Sequence, residues 1–202
     1  MKLGIYGGSF DPVHYGHLLL AETAREQLSL DQVWFVPAAT APHKQGREVD
    51  STAKQRLEML ELATAGQAAF RVCTLEIERG GVSYTVDTLQ TIKEQLPDAE
   101  MFLLMGADSL ADLLTWREPE RVCELAWPVV SRRANAPEPD FSTLGHLVSP
   151  VRLLQMEQMR LQMPIIEFSS TDLRERAAEE RSLRYRTPRA VEQYIHAHNL
   201  YH

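Results

Sequence analysis

The sequence predicts an α/β fold: a doubly wound parallel sheet with a small C-terminal helical portion at about 170–202. Three observations lead there. Short apolar runs alternate with stretches of helical rhythm, the pattern of βαβ units. Paired glycines, Gly7 and Gly8, directly follow the first apolar run. The residues with most chemistry in them come immediately after strand-like segments, where parallel sheets bind ligands. These are Gly7–His17, Pro42–Lys44, Gly106–Asp108 and Ser169–Arg174.

The elements follow in order. Residues 2–6, KLGIY, read as a buried strand, and Leu18, Leu19, Ala21, Ala24 and Leu28 set a helical rhythm over 15–28. QVWFVP (32–37) is a second strand closed by proline, and 38–50, rich in Ala, Pro, His, Lys and Gly, is a loop. Leu57, Leu60, Leu62 and Ala63 mark a helix over 51–64. FRVCTLEI (70–77) reads as a strand, stopped by Gly80–Gly81, with a helix from about 84 to 96. MFLLM (101–105) is a buried strand, and GADSLADLLTW turns into a helix after it. WPVVSRR (127–133) is another strand, and the Pro-rich 134–150 a loop with one short strand. VRLLQM (151–156) and PIIEF (164–168) read as late strands, and helices follow at about 171–180 and 188–198. The whole chain, 1–202, reads as one domain.

Composition narrows the function. The 202 residues are 44% hydrophobic, enough for an ordinary globular core. Lys and Arg number 21 against 28 Asp and Glu, a net charge of −7. That balance argues against a general binder of nucleic acid or anionic membrane, which needs a basic surface. The two cysteines, Cys73 and Cys123, match no redox or zinc spacing and read as reduced thiols. The N-terminus lacks the pattern of a signal peptide, and no apolar run is long enough to span a bilayer. A soluble, cytoplasmic protein is expected.

The stretch GIYGGSFDPVHYGHLLL places His14 and His17 three residues apart at the mouth of a strand–turn–helix unit. At that spacing both rings project to one side of a helix start. They fit a capping role, or a metal pair with His43 as third ligand, or a donor cluster for phosphate oxygens beside a helix N-terminus. The glycines suit the last, because they let backbone approach a ligand closely. The usual dinucleotide fingerprint and the GxxxxGK[ST] loop are both absent. FSSTDLRER (168–176) is the second cluster: its hydroxyls, its helix N–H groups and Arg174 would together hold a polyphosphate, although Ser-Ser-Thr-Asp also serves as a helix cap.

Taken together, these motifs resemble the bacterial nicotinate mononucleotide adenylyltransferase family of the HxGH nucleotidyltransferase superfamily. GGSFDPVHYGHL matches its first motif, with His14-Tyr15-Gly16-His17 as HxGH. FSSTDLR matches its second, usually ISSTxIR, with Phe168 where isoleucine is commoner. PHK (42–44), SYTVDTL (83–89) and GADSL (106–110) are also family-like.

The resemblance implies a Rossmann-like fold and adenylyl transfer from ATP to nicotinate mononucleotide, giving the deamido dinucleotide and pyrophosphate in NAD biosynthesis. It implies that His14 and His17 contact the reacting phosphates, and that Gly7, Gly8, Ser9 and Phe10 form the ATP turn. Ser169, Ser170, Thr171 and Arg174 would hold the leaving phosphates. Lys44 would neutralise charge from the opposite wall, with His43 beside it. Gly106 and Asp108 would meet the nucleotide, Asp108 at its sugar unless it only caps a helix. Trp116 would stack on the pyridine ring. Ser83, Tyr84 and Thr85 would face its carboxylate, and Arg117 and Arg133 the mononucleotide side. Mg²⁺ would be carried mainly by the ATP phosphates. The alternatives are the same chemistry on nicotinamide mononucleotide or phosphopantetheine, a zinc hydrolase using His14, His17 and His43, and a non-catalytic nucleotide-binding module.

Overall fold

A computed structural model describes residues 1–42, 51–131, 139–164 and 166–202. Five strands, β1 (Lys2–Gly8), β2 (Gln32–Pro37), β3 (Phe70–Val72), β4 (Glu100–Gly106) and β5 (Trp127–Ser131), form one sheet in the order β3-β2-β1-β4-β5. Every pairing is parallel. The expected doubly wound α/β architecture is therefore present.

Side chains alternate across the sheet as the two-residue strand period requires. Leu3 and Ile5 of β1, with Met101, Leu103 and Met105 of β4, face one core cluster. Tyr6, Phe102 and Leu104 face the other. The first cluster is covered by α4 (Thr85–Gln95), α5 (Ala107–Asp112), α6 (Pro119–Leu125) and α7 (Pro150–Gln158), through Leu89, Leu110, Val122 and Met156 among others. The second is covered by α1 (Tyr15–Gln27), α2 (Ala53–Thr64), α8 (Ser170–Ala178) and α9 (Arg189–Ala197). Leu173, Ala177, Val191 and Ile195 thus bring the C-terminal helices into the same core as Leu20, Ala21 and Met59.

Several expectations are corrected. FRVCTLEI is a strand only over Phe70–Val72; Leu75–Arg79 is a short helix, α3. The ladder stops for a definable reason. Val33 N–H donates to Ala69 O and Cys73 N–H to Phe35 O, each at 2.8 Å, and the next donor position on β2 is Pro37, which has no N–H.

VRLLQM is helix α7 rather than a strand. Ser149 caps it by accepting from Arg152 N–H at 3.3 Å, and Pro150 occupies the first turn, a strong start signal that the apolar run obscures. The described residues of PIIEF belong to no strand; Leu161, just before it, makes a single bridge to Ser131. The helix after GADSL breaks into α5 and a 3-10 turn at Leu113–Thr115, a further 3-10 turn spans Phe141–Leu144 where a short strand was expected, and α6 was not anticipated.

The topology fixes where a ligand can go. From β1 the chain winds outward to β2 and β3, then returns to place β4 on the other side of β1. The pairing of β1 with β4 ends at Ile5 and Leu103, although β1 runs on to Gly8 and β4 to Gly106. The two strands part over their last residues, and this opening at the carboxyl ends is the switch-point crevice of a doubly wound sheet.

Candidate active site

The turn leaving β1 is built around two rings. His14, 3% exposed, is the N-cap of α1. His17 N–H donates to His14 Nδ1 at 3.4 Å, and His14 N–H donates to His17 Nδ1 at 3.2 Å, a reciprocal capping box made of histidines. The imidazoles stack 3.7 Å apart at 19°. An Nδ1 that accepts a hydrogen bond carries no proton, so the proton of each neutral ring sits on Nε2. Both rings are thereby set as Nε2–H donors, which suits phosphate oxygens. Zinc ligation through Nε2 needs the opposite tautomer, and the third histidine of that alternative, His43, lies outside the described residues.

The glycine between the histidines has a steric reason. A Cβ at Gly16 would stand 3.0 Å from both Cε1 and Nδ1 of His14. At Gly8 a Cβ would meet the ring of Phe10 at 3.1 Å. Phe10, 2% exposed and left-handed at φ 50°, packs edge-on against His17 with ring centres 5.1 Å apart, so it is a buried support for the histidine. Gly7, by contrast, has nothing within 4 Å of a built Cβ.

The second cluster is tied to this turn by hydrogen bonds. Three successive carbonyls of the turn accept from the C-terminal region: Asp11 O from Arg174 Nη1 at 2.8 Å, Pro12 O from Ser170 Oγ at 2.9 Å, and Val13 O from Thr187 Oγ1 at 2.7 Å. Ser169 caps α8 by accepting from Asp172 N–H at 3.0 Å, and Thr171 Oγ1 accepts from Arg174 Nη2 at 3.4 Å. The capping alternative therefore holds for Ser169, and Ser170 spends its proton on Pro12. The N-termini of α1 and α8 meet at one turn, where their dipoles favour an anion.

The residues expected on the mononucleotide side form a separate group. Ser83, 7% exposed, does not cap α4: its Oγ accepts from Ala39 N–H at 3.0 Å. Tyr84 is the N-cap and supplies no side-chain bond, so Thr85 and the residues after it begin the helix without one. Arg117 lies over the Tyr84 ring, 4.9 Å from its centre, and pairs with Asp87 at 3.4 Å. Trp116 is half-buried against the core on this face. Gly106 is the N-cap of α5 and Asp108 lies in its first turn, so Asp108 is not the cap. Lys44, His43 and Arg133 lie outside the described residues.

Arg56 joins the groups without any local signal in the sequence. It is 3% exposed, donating from Nη1 to Ser9 O at 2.9 Å and from Nη2 to Ala39 O at 3.3 Å. Burial lowers its guanidinium from the usual arginine range, opposed by the nearby Asp11. Asp11, inside the glycine-turn motif, also contributes, while Thr187 and Tyr201 are unforeseen and meet the turn from far along the chain. Among the described residues, no group of three or more His, Cys, Asp or Glu could hold a metal ion. No helix there is long and apolar enough to cross a membrane.

Comparison with known proteins decides the family. Residues 5–176 match the cytidylyltransferase-like family model. A Thermus thermophilus protein described as a probable nicotinate-nucleotide adenylyltransferase is 45% identical over 201 residues, covering 100% of both chains. The chain belongs to the nicotinate-nucleotide adenylyltransferase family. A Rhodopirellula baltica member with the same description is 43% identical over 199 residues, covering 98% of this chain and 92% of its own. The fold of the family extends to distant sequences. Plasmodium falciparum nicotinic acid mononucleotide adenylyltransferase, solved in complex with NaAD, superposes with a TM-score of 0.74 at 20% identity, covering 99% of this chain and 97% of its own.

Proposed function

We propose that this chain transfers the adenylyl group of ATP to nicotinate mononucleotide, releasing pyrophosphate, as a cytoplasmic step of NAD biosynthesis. The observation that carries the reading is the stacked pair of Nε2–H donors, His14 and His17, at the crevice between β1 and β4. A 5′-phosphate oxygen of the mononucleotide attacks the α-phosphorus; that P–O bond forms as the bond to the pyrophosphate oxygen breaks. Nucleophile and leaving group arrive charged, so alignment and charge neutralisation suffice, and no covalent intermediate is needed.

The histidine N–H groups donate to phosphoryl oxygens as charge shifts across them. Arg174, steadied by Asp11 O, and the N-terminus of α8 hold the β and γ phosphates, with Ser169, Ser170 and Thr171 shaping that terminus. Gly7 gives the phosphates open backbone to approach. Mg²⁺ arrives as part of Mg·ATP, carried mainly by the phosphates. Trp116 and the start of α4 receive the pyridine, with Lys44, His43, Arg117 and Arg133 assigned to phosphate and mononucleotide contacts, and Asp108 to the nucleotide sugar. Residues 1–202 act as one catalytic unit, since the C-terminal helices supply part of the site.

An acceptor panel tests this. Pyrophosphate release is measured with Mg·ATP and nicotinate mononucleotide, nicotinamide mononucleotide or phosphopantetheine. Turnover led by nicotinate mononucleotide is expected. Phosphopantetheine as the best acceptor would overturn the assignment, and release with none would leave only nucleotide binding.

A further inference from the structure

The β1–α1 turn is held from a direction the reaction does not explain. The side chain of Asp11 is 2% exposed, and its Oδ1 accepts from Tyr201 Oη at 2.7 Å and from Ser51 Oγ. Its carbonyl oxygen is the acceptor for Arg174 Nη1 at 2.8 Å. One residue therefore joins Tyr201, beyond the end of α9, to the arginine assigned to the leaving phosphates. The chain after α9 bends to achieve this: Asn199 and Tyr201 both adopt left-handed backbone, at φ 50° and 68°. That conformation is disfavoured for a tyrosine. Arg174 and Tyr201 also line the same surface cavity.

We propose that Tyr201 is a positioning residue for adenylyl transfer, acting through Asp11 to set Arg174 against the leaving phosphates of ATP. The proposal rests on the role given above to Arg174. Burial, then the charge of Asp11, push the Tyr201 phenol far above its ordinary range, so the hydroxyl keeps its proton and remains a donor. Without that donor, the buried Oδ1 keeps, among the described residues, Ser51 alone, and the turn relaxes toward water entering by the cavity. Because the main chain of Asp11 moves with its side chain, Arg174 loses register. The pyridine side of the site is untouched.

The test is a double-mutant cycle on the full chain with Mg·ATP and nicotinate mononucleotide. Tyr201→Phe is expected to lower kcat/KM for ATP about tenfold, with the KM for nicotinate mononucleotide unchanged. Combined with Arg174→Ala, it adds nothing beyond about twofold to the loss from Arg174→Ala alone. Ser51→Ala, which removes the other donor to Asp11, behaves the same way and serves where Tyr201→Phe folds poorly. Additive losses, or wild-type ATP kinetics in both Tyr201→Phe and Ser51→Ala, overturn the proposal. If Arg174→Ala is impaired while the other two are not, only the positioning role falls. If Arg174→Ala itself keeps normal ATP kinetics, the assignment of Arg174 falls and takes this proposal with it.

Discussion

The imidazole rings of His14 and His17 lie 3.7 Å apart, nearly parallel, while each Nδ1 accepts the other residue's main-chain N–H. A helix cap normally uses hydroxyl, amide or carboxylate oxygens. Here the cap also fixes the orientation of both rings, so in the proposed reaction one set of bonds would serve folding and chemistry together.

Gly16→Ala separates those two contributions. Alanine is favoured over glycine inside a helix by about 1 kcal/mol, which roughly offsets the loss of the His14 cap bond to His17 N–H, so stability should change little. The new Cβ would sit 3.0 Å from the His14 ring and force it aside. A displacement of that order at a reacting centre can cost about a hundredfold. Denaturant unfolding with steady-state kinetics should therefore show a stable protein with strongly reduced kcat. Unaltered kcat would mean that the placement of His14 does not matter.

Arg174→Ala should raise the KM for ATP and slow turnover, because the guanidinium, proposed as a phosphate donor, is also a tie to Asp11 O. Arg174→Lys should recover only part of the loss, since an ammonium cannot span two acceptors as a planar fork does. Initial-rate kinetics over a range of ATP concentrations decide this. Full recovery by lysine would show that charge alone is needed.

Arg56→Met should act through stability. It leaves the carbonyls of Ser9 and Ala39 without their buried donor, and unsatisfied buried groups cost about 1–3 kcal/mol each. Urea unfolding should show a loss of at least about 2 kcal/mol on that scale. A variant as stable as the parent would show that the two carbonyls find other partners.

The preference for acid over amide should come from the start of α4, whose N-cap, Tyr84, brings no capping side chain. Hydrogen bonds to a charged group are worth about 1.5–3 kcal/mol, against about 1 for neutral ones. Nicotinate mononucleotide should therefore exceed its amide in kcat/KM by at least about tenfold. Thr85→Pro removes one N–H at a position where proline is tolerated, and should narrow that gap while leaving ATP kinetics alone. Equal efficiency on acid and amide would contradict this origin of specificity.

The sequence showed these features unevenly, for physical reasons. The central strands β1, β2 and β4 are buried on both faces, so they stand out as apolar runs, and the His14–His17 turn is a local pattern. Elements decided by distant partners were obscure. β3 ends where Pro37 of a neighbouring strand lacks a donor, and α7 begins with a Ser149 cap ahead of an apolar run that resembles a strand. Arg56 lies 47 residues from its acceptor at Ser9, and Tyr201 lies 190 from Asp11. Such pairs carry no local signal. Lys44, His43 and Arg133 fall outside the described residues.

The most direct test of the central claim is His17→Ala, followed by kcat and by the equilibrium binding of ATP. If the ring acts as the proposed donor, its loss should lower kcat about a hundred- to a thousandfold, the usual cost of one preorganised donor. ATP affinity should change far less, because the interaction strengthens as charge moves in the transition state. A variant that turns over at close to the parent rate would contradict the account.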